Sequence, residues 1–245
     1  MQIDGSLRSA LEKAYEVFDS IPFPKRLETS PLRDGGKILR TLAAAPLRHL
    51  TSEQIGPYAG WAITTVGSER DYRHFLPRIL ELAVEHPTHL GLMAPVIAGR
   101  IAMGKWFNWP VKQRAAVLNV FRIAFERTVE AHPDETQTAP EWLCGLVRLE
   151  RSVDAALAFW RNSMSANASL QLALFATTAF EMMAETGDRL TGFWDEIDSP
   201  SREKVRAWAV GIDTKQQLIA ALPRVRPNDR WMMESALSLG QRSMN

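Results

Sequence analysis

Apolar residues in this chain recur at every third or fourth position and almost nowhere at every second. A strand needs the two-residue period and a helix the longer one, so the segments are suited to pack as helices. In "NWPVKQRAAVLNVFRIAFERTVEAH", Pro110 stands at a first helical position, where its missing N–H leaves no bond unmade. Val117, Val120, Phe121, Ala124 and Phe125 then fall on one face, and Lys112, Asn119, Arg122, Glu126 and Glu130 on the other.

The same grammar punctuates the rest of the chain. "TSEQ" at Thr51 is a capping-box pattern, and the helix it starts is expected to run to Gly67. "SPSREKVRAWAVG" offers Ser199 as a cap and Pro200 as the first helical residue, with Val205, Trp208 and Ala209 facing inward. "NASLQLALFATTAFEMMAETG" is apolar nearly all round and ends at Gly187, as a central helix would. Shorter helices are expected at Leu7–Asp19, Gly91–Gly104, Pro140–Glu150, Val153–Arg161, Thr214–Leu222 and Asp229–Arg242. No segment forms a βαβ unit. The predicted class is all-α, about eleven helices in all. They would form either a degenerate helical repeat of the HEAT or armadillo kind, an α-solenoid, or an irregular helical bundle. No fixed repeat period is evident. One helical body over 1–245 is expected, with a minor division possible only in the polar stretch 131–140.

Composition narrows the functional classes. Lys plus Arg number 29 against 28 for Asp plus Glu, whereas a dedicated nucleic-acid binder carries a clear basic excess. The single cysteine, Cys144, has no partner for an internal disulfide, which favours a reducing compartment. The N-terminal "MQIDGSLRSALEKAYEVF" has charges where a signal peptide has an apolar core. The least charged stretch, Ser163 to Phe180, includes Ser, Asn, Gln and Thr, short of the roughly 20 apolar residues of a membrane helix. A cytoplasmic protein without a membrane span is expected.

"DYRHFLPRILELAVEH" spaces Asp71, His74, Arg78, Glu81 and Glu85 three or four apart, which aligns them on one side of a helix. Asp71 and His74 are types that share a metal ion, and Glu81 can complete such a shell. Two features oppose this. Pro77 is expected to interrupt the row, with a helix starting near Leu76. Arg78 also places a fixed cation where the metal would lie. A solvated or partner-facing row is the reading adopted. His86 and His89 in "EHPTH" are two imidazoles without further ligands, and Cys144 lies on an apolar helix face as a small buried residue.

Eight tryptophans are many for this length. "KWFNWP" sets Trp106 and Trp109 beside Lys105, and "NDRWMMES" sets Trp231 beside Arg230, close to Arg224 and Arg226. Aromatics beside cations suit protein hot spots and base-stacking surfaces, although filling gaps between helices is their commoner use. "RDGGKIL" resembles a fragment of a phosphate loop but lacks the spacing, the hydroxyl residue and the preceding strand, and reads as a turn. No motif calls for a cofactor.

Tyr58, Ala59, Ala62, Thr64, Thr65, Gly67 and the run Asp71 to Arg78 with Leu80, Glu81 and Leu82 carry a resemblance to a family of uncharacterised bacterial helical proteins. Its members share a Thr-Thr-x-Gly…Asp-Tyr/Phe-Arg-His-Phe-Leu-Pro-Arg-x-Leu-Glu-Leu segment. This chain departs from that family at Val66 and Ser68, and has no cysteines between Glu28 and Leu32. The resemblance implies a bacterial helical protein and brings no activity with it. The segment itself reads as a structural corner, with Phe75, Leu76, Ile79, Leu80 and Leu82 packed onto Tyr58, Trp61 and Ala62, and its polar row displayed outward.

The expected function is non-catalytic binding of a protein partner, with an immunity or antitoxin-like inhibitor of a toxin as one form. The contact surface would be Asp71, His74, Arg78, Glu81 and Glu85 with Trp106 and Trp109. The alternatives are a nucleic-acid-binding HEAT-like protein using Arg224, Arg226, Arg230 and Trp231, and a metal-assisted hydrolase using Asp71, His74 and Glu81.

Overall fold

The structure, a computed structural model, describes residues 4–85, 89–135, 139–187 and 189–242. Twelve α-helices, linked by short turns several of which are 3-10, account for most of them, and the all-α class holds. Among the described residues β pairing is confined to two isolated bridges, Thr29 with Val66 and Ala62 with Val66. The chain divides into two units, 1–124 and 125–245.

The first unit contains α1 (Gly5–Phe18), α2 (Gly35–Leu42), α3 (Ser52–Trp61), α4 (Glu69–Glu85), α5 (Ala94–Met103) and the start of α6 (Val111–Glu130). Asp4 starts α1 by accepting the Ser6 and Leu7 N–H groups at 2.9 and 3.0 Å. The predicted capping box at Thr51 is present, with Gln54 Oε1 accepting the Thr51 N–H at 2.8 Å. Helix α3 stops at Trp61, however, and not at Gly67. Ile63 turns to φ 67°, and the Thr65 and Val66 N–H groups fold back to the Trp61 carbonyl at 3.0 and 3.2 Å. The resulting tight turn is pinned to the 28–30 segment through Gly67 N–H to Glu28 O, 2.6 Å, and Ser30 N–H to Thr65 O, 2.9 Å. That pinning explains why "TTVG" cannot stay helical.

Helix α4 runs unbroken from Glu69 to Glu85 with Pro77 inside it, contrary to the expected interruption. A mid-helix proline costs about 3 kcal/mol. Burial of Phe75, Leu76, Ile79, Leu80 and Leu82, each worth about 1.5–3 kcal/mol, outweighs it. Phe75 meets the Tyr58 ring of α3 edge-on at 4.9 Å, as the corner reading requires. The turn at 90–92 lies directly on α3: a Cβ on Gly91 would sit 2.2 Å from the Gly56 carbonyl oxygen. Only glycine permits that approach.

The "RDGGKIL" segment is not a turn. It opens α2, with the Asp34 carboxylate accepting the Lys37 N–H at 2.9 Å as its cap. Gly35 is required because a Cβ there would lie 2.9 Å from the Leu27 carbonyl oxygen.

The second unit holds the end of α6, then α7 (Ala139–Glu150), α8 (Asp154–Asn162), α9 (Ala166–Thr186), α10 (Ser199–Ala209), α11 (Ile212–Ala221) and α12 (Arg230–Arg242). Helix α9 is its centre, with α10, α11 and α12 packed against it. It starts on Ser165, whose hydroxyl accepts the Ala168 N–H at 3.0 Å, and ends on Gly187 at φ 71°. The cap of α10 is Asp198 rather than Ser199, its carboxylate accepting the Ser201 N–H at 2.9 Å. Trp160, Phe175, Trp194 and Trp208 form one aromatic cluster, with Trp160 and Phe175 stacked at 6.1 Å.

Both faces predicted for α6 are seen, the five apolar residues buried and the five polar ones exposed.

Candidate interaction surfaces

In the first unit, the polar row on α4 does not form an outward face. Asp71 is the far half of a second capping box: its Oδ2 accepts the Ser68 N–H at 2.7 Å, and its own N–H donates to Ser68 Oγ at 3.3 Å. His74 Nδ1 lies 2.7 Å from the Ile21 carbonyl oxygen, which only accepts, so Nδ1 carries the hydrogen. Phe23 meets the same imidazole edge-on at 5.6 Å. Arg78 Nε donates to the Leu50 carbonyl at 2.8 Å and its Nη1 to Glu81 Oε2 at 2.6 Å. That Glu81 oxygen also accepts the Tyr15 hydroxyl at 2.5 Å. Arg78 and Glu81 are only 14% and 19% exposed. Glu85, at the end of α4, is half-buried.

His74, Arg78 and Glu81 of the row therefore clamp α4 to α1 and to the turns at Ile21 and Leu50. Burial, and then the Glu81 carboxylate, push the Tyr15 phenol well above its ordinary range, so it stays a neutral donor. Above its ring lies the Arg48 guanidinium, 3.8 Å from the centroid and bidentate to Glu12 at 2.6 Å on both oxygens. That pairing holds Glu12 below the usual carboxylate range. A cleft of about 400 Å³ opens beside the clamp, lined among others by Glu12, Asp19, Arg48 and His74.

Trp106 and Trp109 are core residues, 2% and 3% exposed. The Trp109 indole N–H donates to the Gly104 carbonyl at 2.6 Å, and its ring meets Trp106 and Phe18 edge-on at 5.2 and 6.1 Å. Neither ring is displayed to a partner.

Metal chemistry gains no geometry here. Asp71 turns to Ser68, His74 to Ile21 and Glu81 to Tyr15 and Arg78, so the three converge on no common point. Among the described residues no group of three or more His, Cys, Asp or Glu is placed to hold an ion. His89 accepts the Gly91 N–H at 3.2 Å, while His86 lies outside the described residues.

In the second unit, Arg226, Arg230 and Trp231 are at the surface, and Trp231 is 58% exposed. Arg224 is exposed too, but its Nη1 donates to the Met164 carbonyl at 2.7 Å. Six of the eight tryptophans are buried and Trp61 is half-buried, under the Arg33 guanidinium at 3.9 Å. Trp231 alone is exposed. Nearby in sequence, Asp229 Oδ2 stands 3.6 Å from His132 Nε2, whose Nδ1 is 3.5 Å from Asp134. Cys144 is buried, its thiol facing the Phe193 carbonyl at 3.4 Å, and burial pushes it up to about 12, far from nucleophilic.

What sequence reasoning missed is the direction of the α4 row. Its partners, Tyr15, Ile21 and Leu50, are distant in sequence, and helical spacing alone does not show what lies across from it. Among the described residues no helix is long and apolar enough to cross a membrane. No protein-family model, curated protein or solved structure matches this chain.

Proposed function

We propose that this chain is a non-catalytic binding protein of the bacterial cytoplasm, and that it meets a protein partner through the surface around Trp231. The observation that carries the reading is the exposed Trp231 with Arg226 and Arg230 beside it in sequence. Trp and Arg are the residue types that most often dominate interface energetics, and Trp231 is 58% exposed beside two exposed arginines. The α4 row is left out of this surface because Asp71, His74, Arg78 and Glu81 are already bonded within the first unit and Glu85 is half-buried. An immunity or antitoxin-like inhibitor is the concrete form of the reading, since binding alone performs that task.

The test is affinity purification of the tagged chain from its host, beside a Trp231→Ala, Arg230→Glu variant. The expected result is one stoichiometric partner on the native chain, released by the variant with its melting curve unchanged. Recovery of the free chain alone, or equal retention by the variant, overturns the reading.

The same arginines and indole favour a second reading, a nucleic acid held by Arg224, Arg226 and Arg230 with a base stacked on Trp231. The near balance of charge weighs against it. Its observable is binding that weakens steeply with salt, and no binding of single-stranded DNA or RNA at low salt removes it.

A further inference from the structure

We infer a ligand site in the second unit, a groove between α9, α11 and α12 that takes a short-chain amphipathic carboxylate. The groove is open on one side, has a volume of about 240 Å³ and is walled chiefly by apolar side chains, among them Phe180 and Met183 of α9, Leu218 of α11 and Leu237 of α12. Among the described residues that line it, Lys215 is the single charged one. It is half-buried, one turn into α11, whereas the neighbouring Asp213 is exposed and no part of the lining.

Charge complementarity selects the head group. Apolar walls accept any hydrocarbon chain, but one cation in a partly desolvated wall favours an anion and rejects an ammonium. The start of α11 contributes the same sign. Gly211 and Ile212 also line the groove, and Gly211 offers no side chain to cap the first N–H groups of the helix. Thr214 does not compete for the head group, because its hydroxyl donates to the Trp208 carbonyl at 2.7 Å. Hexanoate, with about eight heavy atoms, is a probe of a size suited to a groove of this volume. The carboxylate would pair with Lys215 Nζ while the chain lies between Phe180, Leu218 and Leu237.

The experiment is a titration of the full chain with hexanoate, butanoate and hexylammonium, followed by NMR shift perturbation, and repeated on Lys215→Gln and Lys215→Glu. Hexanoate is expected to shift resonances of α9, α11 and α12 saturably, and to bind about 15-fold tighter than butanoate for its two extra methylenes. It should also exceed hexylammonium by tenfold or more, with Lys215→Gln removing that preference and Lys215→Glu reversing it. Each variant's proton spectrum shows whether it is folded. The site is overturned by the absence of saturable shifts in these helices. It is equally overturned by hexylammonium binding as well as hexanoate, or by a charge preference that survives in a folded Lys215→Glu protein.

Discussion

The two units treat the residues that the sequence nominates as contacts in opposite ways. In the first, an arginine, a glutamate, a histidine and two tryptophans suggested by sequence as contact residues are turned inward. Arg78 and Glu81 close on Tyr15 and Leu50, and Trp106 and Trp109 fill the core beside Phe18. In the second, Arg226, Arg230 and Trp231 are exposed. A polar row at helical spacing therefore marks a face without revealing what covers it. What decides is whether another segment supplies partners, as α1 and the turns at Ile21 and Leu50 do for α4.

The contrast can be broken most severely at the tryptophans. Trp106→Ala should lower the unfolding free energy by about 3–5 kcal/mol, through lost burial and a residual cavity. Trp231→Ala should change it by no more than about 0.5 kcal/mol. Urea unfolding of the two variants measures both, and equal losses would erase the distinction between the units. Next in size are the arginines. Arg78→Ala leaves Glu81 and the Leu50 carbonyl short of a donor in a partly buried place, at about 2–3 kcal/mol. Arg230→Ala, at the surface, should be close to neutral.

The smallest effect is on pH dependence. Arg48 holds the Glu12 carboxyl below its unfolded value, so the pair's stabilisation is present above the ordinary carboxylate range and is lost as pH falls through it. Glu12 is exposed, and screening limits the effect to about 0.5 kcal/mol. Glu12→Gln should flatten the stability curve below about pH 5 by that amount and leave it unchanged in slope near neutrality. A steeper curve in the variant would contradict the pairing.

Much of the architecture was legible because it rests on local rules. The faces of α6, the Thr51 capping box and the Gly187 stop of α9 depend on neighbours within a turn or two, and each is where spacing put it. The errors occur where distant segments intervene. Helix α2 was hidden behind Gly35 and Gly36, because glycines read as a turn unless one knows that the Leu27 carbonyl presses on Gly35. Helix α3 ends early because its exit turn is tied to Glu28 and Ser30, and α4 survives Pro77 because of what its other side buries. Of the surfaces nominated from sequence, the Arg and Trp residues near the C-terminus were found exposed, and the α4 row was not. Nothing within four residues of Arg78 reveals Leu50.

A double-mutant cycle between Tyr15→Phe and Glu81→Gln, read by urea unfolding, tests most directly whether the α4 row is spent on holding its own unit together. A hydrogen bond to a charged acceptor predicts a coupling of about 1 kcal/mol or more between the two changes. Additive effects within about 0.3 kcal/mol, with each single change nearly neutral, would show that the row is not clamped and return it to the surface as a contact site.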